Sequence, residues 1–276
     1  MREHTEWDQI APYYDALFAD RTVDVQFWVA LAKRFGSPIL ELASGTGRLT
    51  IPIARERITV TGLDISRPMI AMARKNIAVT PLAVQKKISL VRGDSTNFQF
   101  SNKKFHAIFS PWGFVPVTLQ DQKNFFRSVR RHLVAGGSLV IEIENVPEPA
   151  EDWNYSKIKE FKSVPRKNIT LSRQSFNSGS ATTKLGRIIF ILDVIKHNGL
   201  VRRYATERRY RLYTYNDLKI LLHEQGFHIV ETFGDYDFSP WRPESKLAIV
   251  VARINSSQKD RSIYQSIFKI FSMFRW

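Results

Sequence analysis

Glu41-Leu-Ala-Ser-Gly-Thr-Gly47 is the stretch that decides the fold of this 276-residue chain. It follows the apolar run Ile39-Leu-Glu-Leu42 and precedes a helical pattern over 48–57, so it predicts a tight turn between a strand and a helix. Glycines let a backbone turn sharply and approach a ligand closely at the carboxyl edge of an open α/β sheet. Thr50 stands where a dinucleotide fingerprint has its third glycine, and the sequence holds no Gly-Lys-Ser/Thr phosphate loop. The turn therefore predicts close contact with a ligand that has no pyrophosphate.

Strand and helix patterns alternate along most of the chain. Short apolar runs predict strands at 39–42, 59–64, 88–92, 105–109, 138–144, 228–233 and 247–253. Periodic apolar positions predict helices at 48–57, 66–76, 119–133 and 216–225, with Ser66 as an N-cap and Gly136-Gly137 and Gly226 as stops. Strands joined by helical crossovers predict an α/β fold with a doubly wound, mostly parallel seven-stranded sheet.

The segment 161–213 breaks this alternation. It is rich in Thr, Ile, Val, Tyr and Arg and has turn signals at Asn177-Ser-Gly179 and Asn198-Gly199, which predicts two or three antiparallel strands inserted after the fifth strand. The chain therefore divides into four predicted parts. They are an N-terminal helical lid (1–35), a core (36–145 and 212–253), a basic antiparallel insertion that covers the substrate (146–211) and an amphipathic tail (254–276).

The composition excludes several classes of protein. The chain is 43% apolar and 12% aromatic, which is enough for one large core. It contains no cysteine, so a disulfide framework, a thiolate zinc site and a cysteine nucleophile are all excluded. The six histidines show no ligand spacing, and no metal site is predicted. The N-terminus has no apolar signal region and no run reaches the ~18 apolar residues of a membrane span, so we expect a cytoplasmic protein.

Positive charge is concentrated in one part of the chain. The formal net charge is +15, and residues 157–211 hold 14 basic and 3 acidic side chains. Such a segment predicts an anionic partner, which could be an acidic substrate, a nucleic acid or an anionic lipid surface. The alternative is a solvated strand face with no specific partner.

Three acidic residues follow three predicted strands. Glu41 stands at the mouth of the glycine-rich turn, where it would repel phosphate and attract an amine. Asp64 ends the second strand, where a carboxylate can accept both hydroxyls of a ribose, and Asp94 follows the third strand. The set predicts a nucleoside that carries a cationic tail.

Six segments in order resemble motifs of the class I S-adenosylmethionine-dependent methyltransferases, which have a Rossmann-like fold. The resemblance covers residues 10–253 apart from the insertion and implies S-adenosylmethionine as cofactor and S-adenosylhomocysteine as product. The segments that carry it are Glu41-Leu-Ala-Ser-Gly-Thr-Gly47, Val60-Thr-Gly-Leu-Asp-Ile-Ser66, Gly93-Asp94-Ser95, Phe105-His-Ala-Ile-Phe-Ser-Pro-Trp-Gly-Phe114, Val129-Arg-Arg-His-Leu-Val-Ala-Gly-Gly-Ser-Leu-Val140, and Tyr210-Arg-Leu-Tyr-Thr-Tyr-Asn-Asp-Leu218 with Gln225-Gly-Phe227.

The resemblance also implies a set of cofactor-binding residues. It puts Glu41 near the methionine amine, Asp64 on the ribose diol and Asp94 on the adenine amine. The full set is Glu41, Ala43, Ser44, Gly45, Gly47, Asp64, Ile65, Met69, Gly93, Asp94, Ser95 and Ser110.

Two positions depart from the family pattern. Ala43 replaces a commoner glycine, which is tolerable if its φ stays negative. His106 replaces a usual aspartate and is given no role.

The substrate side of the site is predicted from aromatic and basic residues. The resemblance implies that Trp112 lies at the substrate mouth, and Phe114 is a further candidate for substrate contact. Arg208 and Arg211 of the insertion, or Tyr213 just after it, would steer an anionic acceptor. In similar proteins the N-terminal segment folds over the cofactor as a lid, which makes Tyr14 the lid or catalytic candidate. Ordinary packing is the alternative for all the aromatic residues.

The function expected from these features is methyl transfer to nitrogen or oxygen of a small, polar or anionic molecule, as in small-molecule biosynthesis. Transfer from an activated sulfonium needs mainly positioning, which agrees with the absence of a hydrolase-like triad. The alternatives are an RNA methyltransferase, a cyclase or lyase that uses the same cofactor, and a non-catalytic regulatory protein. Against RNA bases, Ser110-Pro-Trp-Gly lacks the Asn-Pro-Pro-aromatic signature.

The C-terminal tail has helical amphipathic spacing. Its apolar positions are Ile263, Tyr264, Ile267, Phe268, Ile270, Phe271 and Phe274. Such a helix can dock on its own domain, on a second copy in a homodimer or on a membrane surface.

Overall fold

The structure is a computed structural model that describes residues 7–112, 118–145, 153–180 and 182–254. The strands are β1 (Ile39–Leu42), β2 (Val60–Asp64), β3 (Ile88–Arg92), β4 (Phe105–Ser110), β5 (Leu133–Glu144), β6 (Trp153–Val164), β7 (Ile169–Ser180), β8 (Leu185–Lys196), β9 (Val201–Arg211), β10 (Phe227–Phe233) and β11 (Leu247–Ile254). The helices are α1 (Tyr14–Leu17), α2 (Val23–Phe35), α3 (Thr50–Arg55), α4 (Arg67–Ala78), α5 (Leu82–Gln85), α6 (Leu119–His132) and α7 (Tyr215–Glu224).

Seven strands form one sheet in the order β10-β11-β5-β4-β1-β2-β3. The neighbours from β5 to β3 are parallel, and β11 runs antiparallel to both β5 and β10. This confirms the predicted doubly wound, mostly parallel α/β sheet with an antiparallel insertion after β5. Parallel strands end at a common edge, so the residues after β1, β2, β3 and β4 meet there.

Both faces of this sheet are covered. Alternate residues of β1 point to opposite faces: Leu40 and Leu42 pack in a core with α6 and α7, and Ile39 packs in a core with α2 and α3. Phe125 and Phe126 are fully buried in the first core, as is Trp28 in the second. The two cores hold the carboxyl edge of the sheet in a fixed shape.

Local sequence explains where several helices start. Ser66 accepts a hydrogen bond from the N–H of Met69, which confirms the predicted N-cap of α4. Thr118 caps α6 by accepting from Asp121, and Thr214 and Asp217 form a reciprocal capping box at α7. These caps fix where the chain enters each helix above the sheet.

The expected stop of α6 at Gly136-Gly137 is wrong. The helix ends at His132, and Leu133 already has extended backbone (φ −80°, ψ 142°) as the first residue of β5. Gly136 takes a positive φ of 74° inside the strand. Gly136 therefore bends the start of the strand.

The insertion has four strands, so the expected two or three were too few. β6, β7, β8 and β9 form a separate antiparallel sheet, here called the second sheet. Asn177-Ser-Gly179 lies inside β7, because the segment pairs with β8 over its whole length and the chain turns only beyond Ser180. The Asn198-Gly199 signal does mark the turn between β8 and β9, where Gly199 has a φ of 81°.

The second sheet packs on the N-terminal segment, here defined as residues 7–22. Leu171 and Leu192 of the sheet are fully buried against Ile10 and Leu17. The Trp7 ring also lies 6.3 Å from the ring of Phe190. The N-terminal segment therefore has a hydrophobic anchor on the insertion.

None of the described helices is long and apolar enough to cross a membrane.

Two predicted features lie outside the described residues. The predicted tail, apart from Ile254, and the predicted substrate residue Phe114 fall among residues outside the described ranges.

Candidate functional site

The glycine-rich turn after β1 contains three residues with left-handed backbone. Ala43, Gly45 and Gly47 have φ values of 54°, 56° and 85°. The expectation that Ala43 keeps a negative φ is therefore wrong. The chain reverses direction here so that the N–H of Ser44 can donate to the carbonyl of Leu63 on β2 at 3.0 Å. Because a Cβ disfavours this conformation, Ala43 is strained where glycine would not be.

Asp64 fixes the turn to the next strand. Its Oδ2 accepts the N–H of Gly45 at 2.8 Å and its Oδ1 accepts the N–H of Ser66 at 2.8 Å. Its carbonyl accepts the N–H of Gly93 at 3.0 Å. The structure thus brings the ends of β1, β2 and β3 together around one carboxylate.

Glu41 and Ser44 are buried polar groups beside the same turn. Glu41 accepts a hydrogen bond from the Thr50 hydroxyl. Burial raises the pKa of Glu41 to about 8, although the Thr50 bond and Arg48 act to lower it. The Ser44 hydroxyl is buried and has no hydrogen-bond partner among the described residues. No atom lies within 4 Å of where a Cβ on Gly45 would be, so open space adjoins the turn.

The remaining predicted cofactor residues lie at the same edge. Ser95, Met69 and Ser110 are buried, and Ile65 is half-buried after β2. Asp94 accepts from both the N–H and the hydroxyl of Thr96, at 2.8 and 2.7 Å, and these bonds shape the turn after β3.

The N-terminal segment contacts the glycine-rich turn directly. Asp15 accepts hydrogen bonds from the Thr46 hydroxyl and, at 2.8 Å, from the amide of Asn76 on α4. Tyr14 of the same segment is half-buried, and its ring lies 4.7 Å from the ring of Phe18 and 6.1 Å from that of Trp7. Burial raises the pKa of Tyr14 to about 12, with Arg48 and Arg21 opposing the shift. Tyr14 is therefore a protonated hydrogen-bond donor at neutral pH.

A charged network that the sequence motifs missed joins α2 to the turn. Asp24 is fully buried and accepts two hydrogen bonds from Arg48, at 2.8 and 2.5 Å. The indole N–H of Trp112 also points at Asp24, at 3.3 Å. The guanidinium of Arg21 lies 3.5 Å from the centre of the Trp112 ring, which is a cation–π contact. The network holds Trp112, a predicted substrate residue, beside the turn.

Glu142 is a second acidic residue that the motifs missed. It lies near the carboxyl end of β5, is 3% exposed, and accepts the hydroxyl of Tyr236 at 2.8 Å. The signal in the sequence was an acid inside the apolar run Val140-Ile-Glu-Ile143.

The predicted basic and phenolic substrate residues are not gathered at the turn. Tyr213 is buried in the core with α6 and α7, where its hydroxyl accepts a hydrogen bond from Gln122 at 2.7 Å, so its role there is packing. The Arg211 guanidinium lies 6.0 Å from the Tyr213 ring. Arg208 is half-buried on β9, paired with Ile188 of β8. The described residues include no group of three or more His, Asp and Glu side chains suited to a metal ion.

Comparison with known proteins agrees with this geometry. The family described as "Methyltransferase domain" matches residues 39–137. A demethylmenaquinone methyltransferase of Lactiplantibacillus plantarum is 28% identical over 166 residues, which are 55% of this chain and 68% of that protein. Alignments to four other curated relatives of that name span 41–60% of their lengths.

Solved structures share the fold. The CcbJ methyltransferase from Streptomyces caelestis superposes with a TM-score of 0.76 at 20% identity, over 93% of this chain and all of that one (100%). The glycopeptide N-methyltransferase MtfA in complex with S-adenosylhomocysteine has a TM-score of 0.57 at 22% identity, over 84% of this chain and 87% of that one.

The fold, the matched methyltransferase domain and the site geometry together support a class I S-adenosylmethionine-dependent methyltransferase. The residues fit its cofactor. The buried Ser44 hydroxyl lacks a partner in the described chain, Glu41 is a buried carboxylate, and the space beside Gly45 is open. A ligand with hydroxyls and an amine would satisfy these groups. S-adenosylmethionine is such a ligand, and it supplies a methyl group on a sulfonium that is already activated for transfer.

Proposed function

We propose that this enzyme transfers the methyl group to nitrogen or oxygen of a small molecule that is enclosed under the N-terminal segment. The observation that carries the proposal is the double attachment of that segment. Asp15 binds the glycine-rich turn, and Leu17 packs in the core of the second sheet. A segment attached at both places would cover an acceptor beside Trp112, and a covered site suits a small molecule better than a macromolecule.

The charges at this edge favour a cationic acceptor over the anionic one suggested by the basic insertion. The buried or half-buried carboxylates here outnumber the two guanidiniums, Arg21 and Arg48. They are Asp24, Glu41, Asp64 and Glu142. Asp24 is paired with Arg48, and Glu41 is protonated below its pKa of about 8, so the negative charge left for an acceptor comes from Asp64 and Glu142. Negative charge in a site of low dielectric attracts cations.

Part of the basic insertion is neutralised by its own acidic residues. Arg187 pairs with Glu207 at 2.8 Å, and Arg203 pairs with Asp193 at 2.7 Å. These pairs support a largely solvated outer face and weaken the case for an RNA substrate. The name of MtfA, a glycopeptide N-methyltransferase, supports a nitrogen acceptor.

A second candidate acceptor is demethylmenaquinone. The observation that favours it is the 28% identity with a demethylmenaquinone methyltransferase over 166 residues. A quinone offers no positive charge to the carboxylates of the site, so we rank it below an amine.

The chain's own residues contribute binding and orientation in this proposal. Asp64 and Ser44 would hold the nucleoside hydroxyls, and Glu41 would face the amine. Tyr14 remains protonated near neutral pH, so it donates a hydrogen bond and does not act as a base. Closure of the N-terminal segment excludes water from the transfer.

The test is an acceptor panel with mass spectrometry. Purified protein and S-adenosylmethionine are incubated with an amino sugar, a catechol, demethylmenaquinone and tRNA. We expect a methylated small molecule and S-adenosylhomocysteine, and neither with the variant Asp64→Ala at limiting cofactor. Methylation of tRNA alone would overturn the proposal, and methylthioadenosine as by-product would indicate a cyclase or lyase.

A further inference from the structure

Glu142 lies at the carboxyl edge of the sheet, on the side where we place the methyl acceptor, beside Trp112. Ile141 pairs with Ser110, the last residue of β4, so Glu142 lies one step beyond the paired end of that strand. Alternation puts its side chain on the face of Val140, which packs in the core with α2. The backbone of Trp112 also donates to this carboxylate. Glu142 therefore adjoins the residue that we place beside the acceptor.

Within the described residues, one of the two carboxylate oxygens of Glu142 lacks a hydrogen-bond partner. Oε1 accepts the Tyr236 hydroxyl at 2.8 Å, and Oε2 is buried without a hydrogen-bond partner among the described residues. A buried carboxylate oxygen left in this way costs free energy unless a ligand or water reaches it. A ligand N–H group on the substrate side of the site would give this buried oxygen a hydrogen-bond partner.

The groups that face Glu142 come from three other parts of the chain. Tyr236 lies on the loop between β10 and β11, and Arg21 donates to the Tyr236 hydroxyl at 3.4 Å. Asp24 of α2 adds a negative charge that is matched by Arg48. No cation within the described chain forms an ion pair with Glu142 itself. Its charge is therefore available to a cationic ligand.

We propose that Glu142 binds the acceptor nitrogen, with Oε2 accepting an N–H of a primary or secondary amine, and that Tyr236 orients the carboxylate. The inference rests on the proposed function, because it names the class of acceptor for the same site. It makes Glu142 a substrate-contacting residue and Tyr236 a positioning residue.

The proton balance of the reaction gives this carboxylate a second task. An amine that arrives as its ammonium form has no free lone pair, so it must first lose a proton, and Oε2 accepts it. The freed nitrogen lone pair forms the new N–C bond, while the electron pair of the broken C–S bond stays on sulfur. The product amine leaves as its ammonium form. Glu142 then releases its proton to water, so each turnover yields one proton.

The environment of Glu142 suits a proton acceptor at neutral pH. Burial raises its pKa to about 7, while the Tyr236 and Trp112 hydrogen bonds and Arg21 act to lower it and Asp24 to raise it. A base is most effective when its pKa lies near the working pH.

A cofactor analogue tests the inference without knowledge of the acceptor. Sinefungin is an analogue of S-adenosylmethionine in which a carbon that bears an amino group replaces the methylated sulfur, so its ammonium points toward the acceptor side. We would measure its dissociation constant and that of S-adenosylhomocysteine by calorimetry. The variants are Glu142→Gln, Tyr236→Phe and the control Glu144→Gln, an exposed glutamate on the same strand.

In the wild type we expect sinefungin to bind more tightly than S-adenosylhomocysteine. Glu142→Gln should lower sinefungin affinity at least tenfold with S-adenosylhomocysteine affinity unchanged, and Glu144→Gln should change neither. Tyr236→Phe should lower sinefungin affinity by a smaller factor, again with S-adenosylhomocysteine affinity unchanged. If Glu142→Gln does not fold, Tyr236→Phe takes its place in the test. The inference would be overturned if the ratio of sinefungin affinity to S-adenosylhomocysteine affinity were the same in Glu142→Gln as in the wild type. Failure of the wild type to bind S-adenosylhomocysteine would instead overturn the proposed function.

Discussion

Arg48 donates from both terminal nitrogens to the two carboxylate oxygens of Asp24, at 2.8 and 2.5 Å. The pair joins the residue after the glycine-rich turn to the first turn of α2. Arg48 also donates to the carbonyl of Arg21 at 3.0 Å, just before that helix. One guanidinium thus connects the N-terminal segment, the helix and the cofactor turn.

Removing this guanidinium should destabilise the protein strongly. Arg48→Met removes the two-bond ion pair of the fully buried Asp24 carboxylate and leaves it only the longer contacts to Trp112 (3.3 Å) and Arg21 (3.8 Å). Breaking a buried pair costs about 3–5 kcal/mol. The measurement is the free energy of unfolding in urea. Lys33→Met breaks an exposed pair with Glu56 (3.0 Å) and should cost less than about 1 kcal/mol. Adding Asp24→Asn to Arg48→Met should recover part of the loss. Equal costs for the two single variants would contradict this interpretation.

Replacing the strained alanine of the turn should stabilise the protein. Ala43 has a φ of 54° and is exposed, so Ala43→Gly relieves backbone strain without opening a cavity. We expect a gain of up to about 1 kcal/mol in the free energy of unfolding. The matched control Ala71→Gly, at an exposed alanine inside α4, should instead lose about 1 kcal/mol. A loss at both positions would show that the left-handed backbone at Ala43 carries no strain.

Asp64 should contribute directly to cofactor affinity. Asp64→Ala removes the carboxylate that we place on the ribose, and hydrogen bonds to charged groups are worth about 1.5–3 kcal/mol. Calorimetry with S-adenosylhomocysteine should show a weakening of that size. The control Asp193→Ala removes an aspartate of the second sheet, outside the seven-stranded sheet that carries the turn, and should leave the affinity for S-adenosylhomocysteine unchanged. Unaltered binding in Asp64→Ala would mean that the ribose is held elsewhere.

Glu41 should make the ligand-free protein less stable as pH rises. Its folded-state pKa of about 8 exceeds the ordinary value of 4.5, so its stabilising contribution is complete below 4.5 and is lost as pH rises through 8. Urea unfolding across that range should show a falling free energy, and Glu41→Gln should flatten the decline. Part of the slope should remain, because Glu142 titrates in the same direction with a pKa of about 7. An identical slope in Glu41→Gln and wild type would refute the assignment.

Local sequence patterns were sufficient for the main sheet. Short-range periodicity and capping predict the strand that begins at Ile39, the Ser66 N-cap and the order of the parallel strands. Sequence also predicted that Asp64 would lie beside the glycine-rich turn, because parallel strands end at one edge. These are features that neighbouring residues decide.

Long-range contacts were beyond the sequence patterns. Asp24 and Arg48 are separated by 24 positions, and Tyr236 and Glu142 by 94. No local rule indicates that such pairs meet. Tyr213 was predicted as a substrate contact because it follows basic residues, and local sequence gave no sign that it also packs in the core and accepts a hydrogen bond from Gln122. The fourth strand of the second sheet was missed because residues near 153 give a weak strand signal.

The most direct measurement is the crystal structure of the protein soaked with S-adenosylhomocysteine. We predict density in the open space beside Gly45, with the ribose hydroxyls within hydrogen-bond distance of Asp64 and the Ser44 hydroxyl engaged by the ligand. A saturated crystal in which the protein's own side chains fill that space, or in which the ligand lies away from the ends of β1 and β2, would contradict the account.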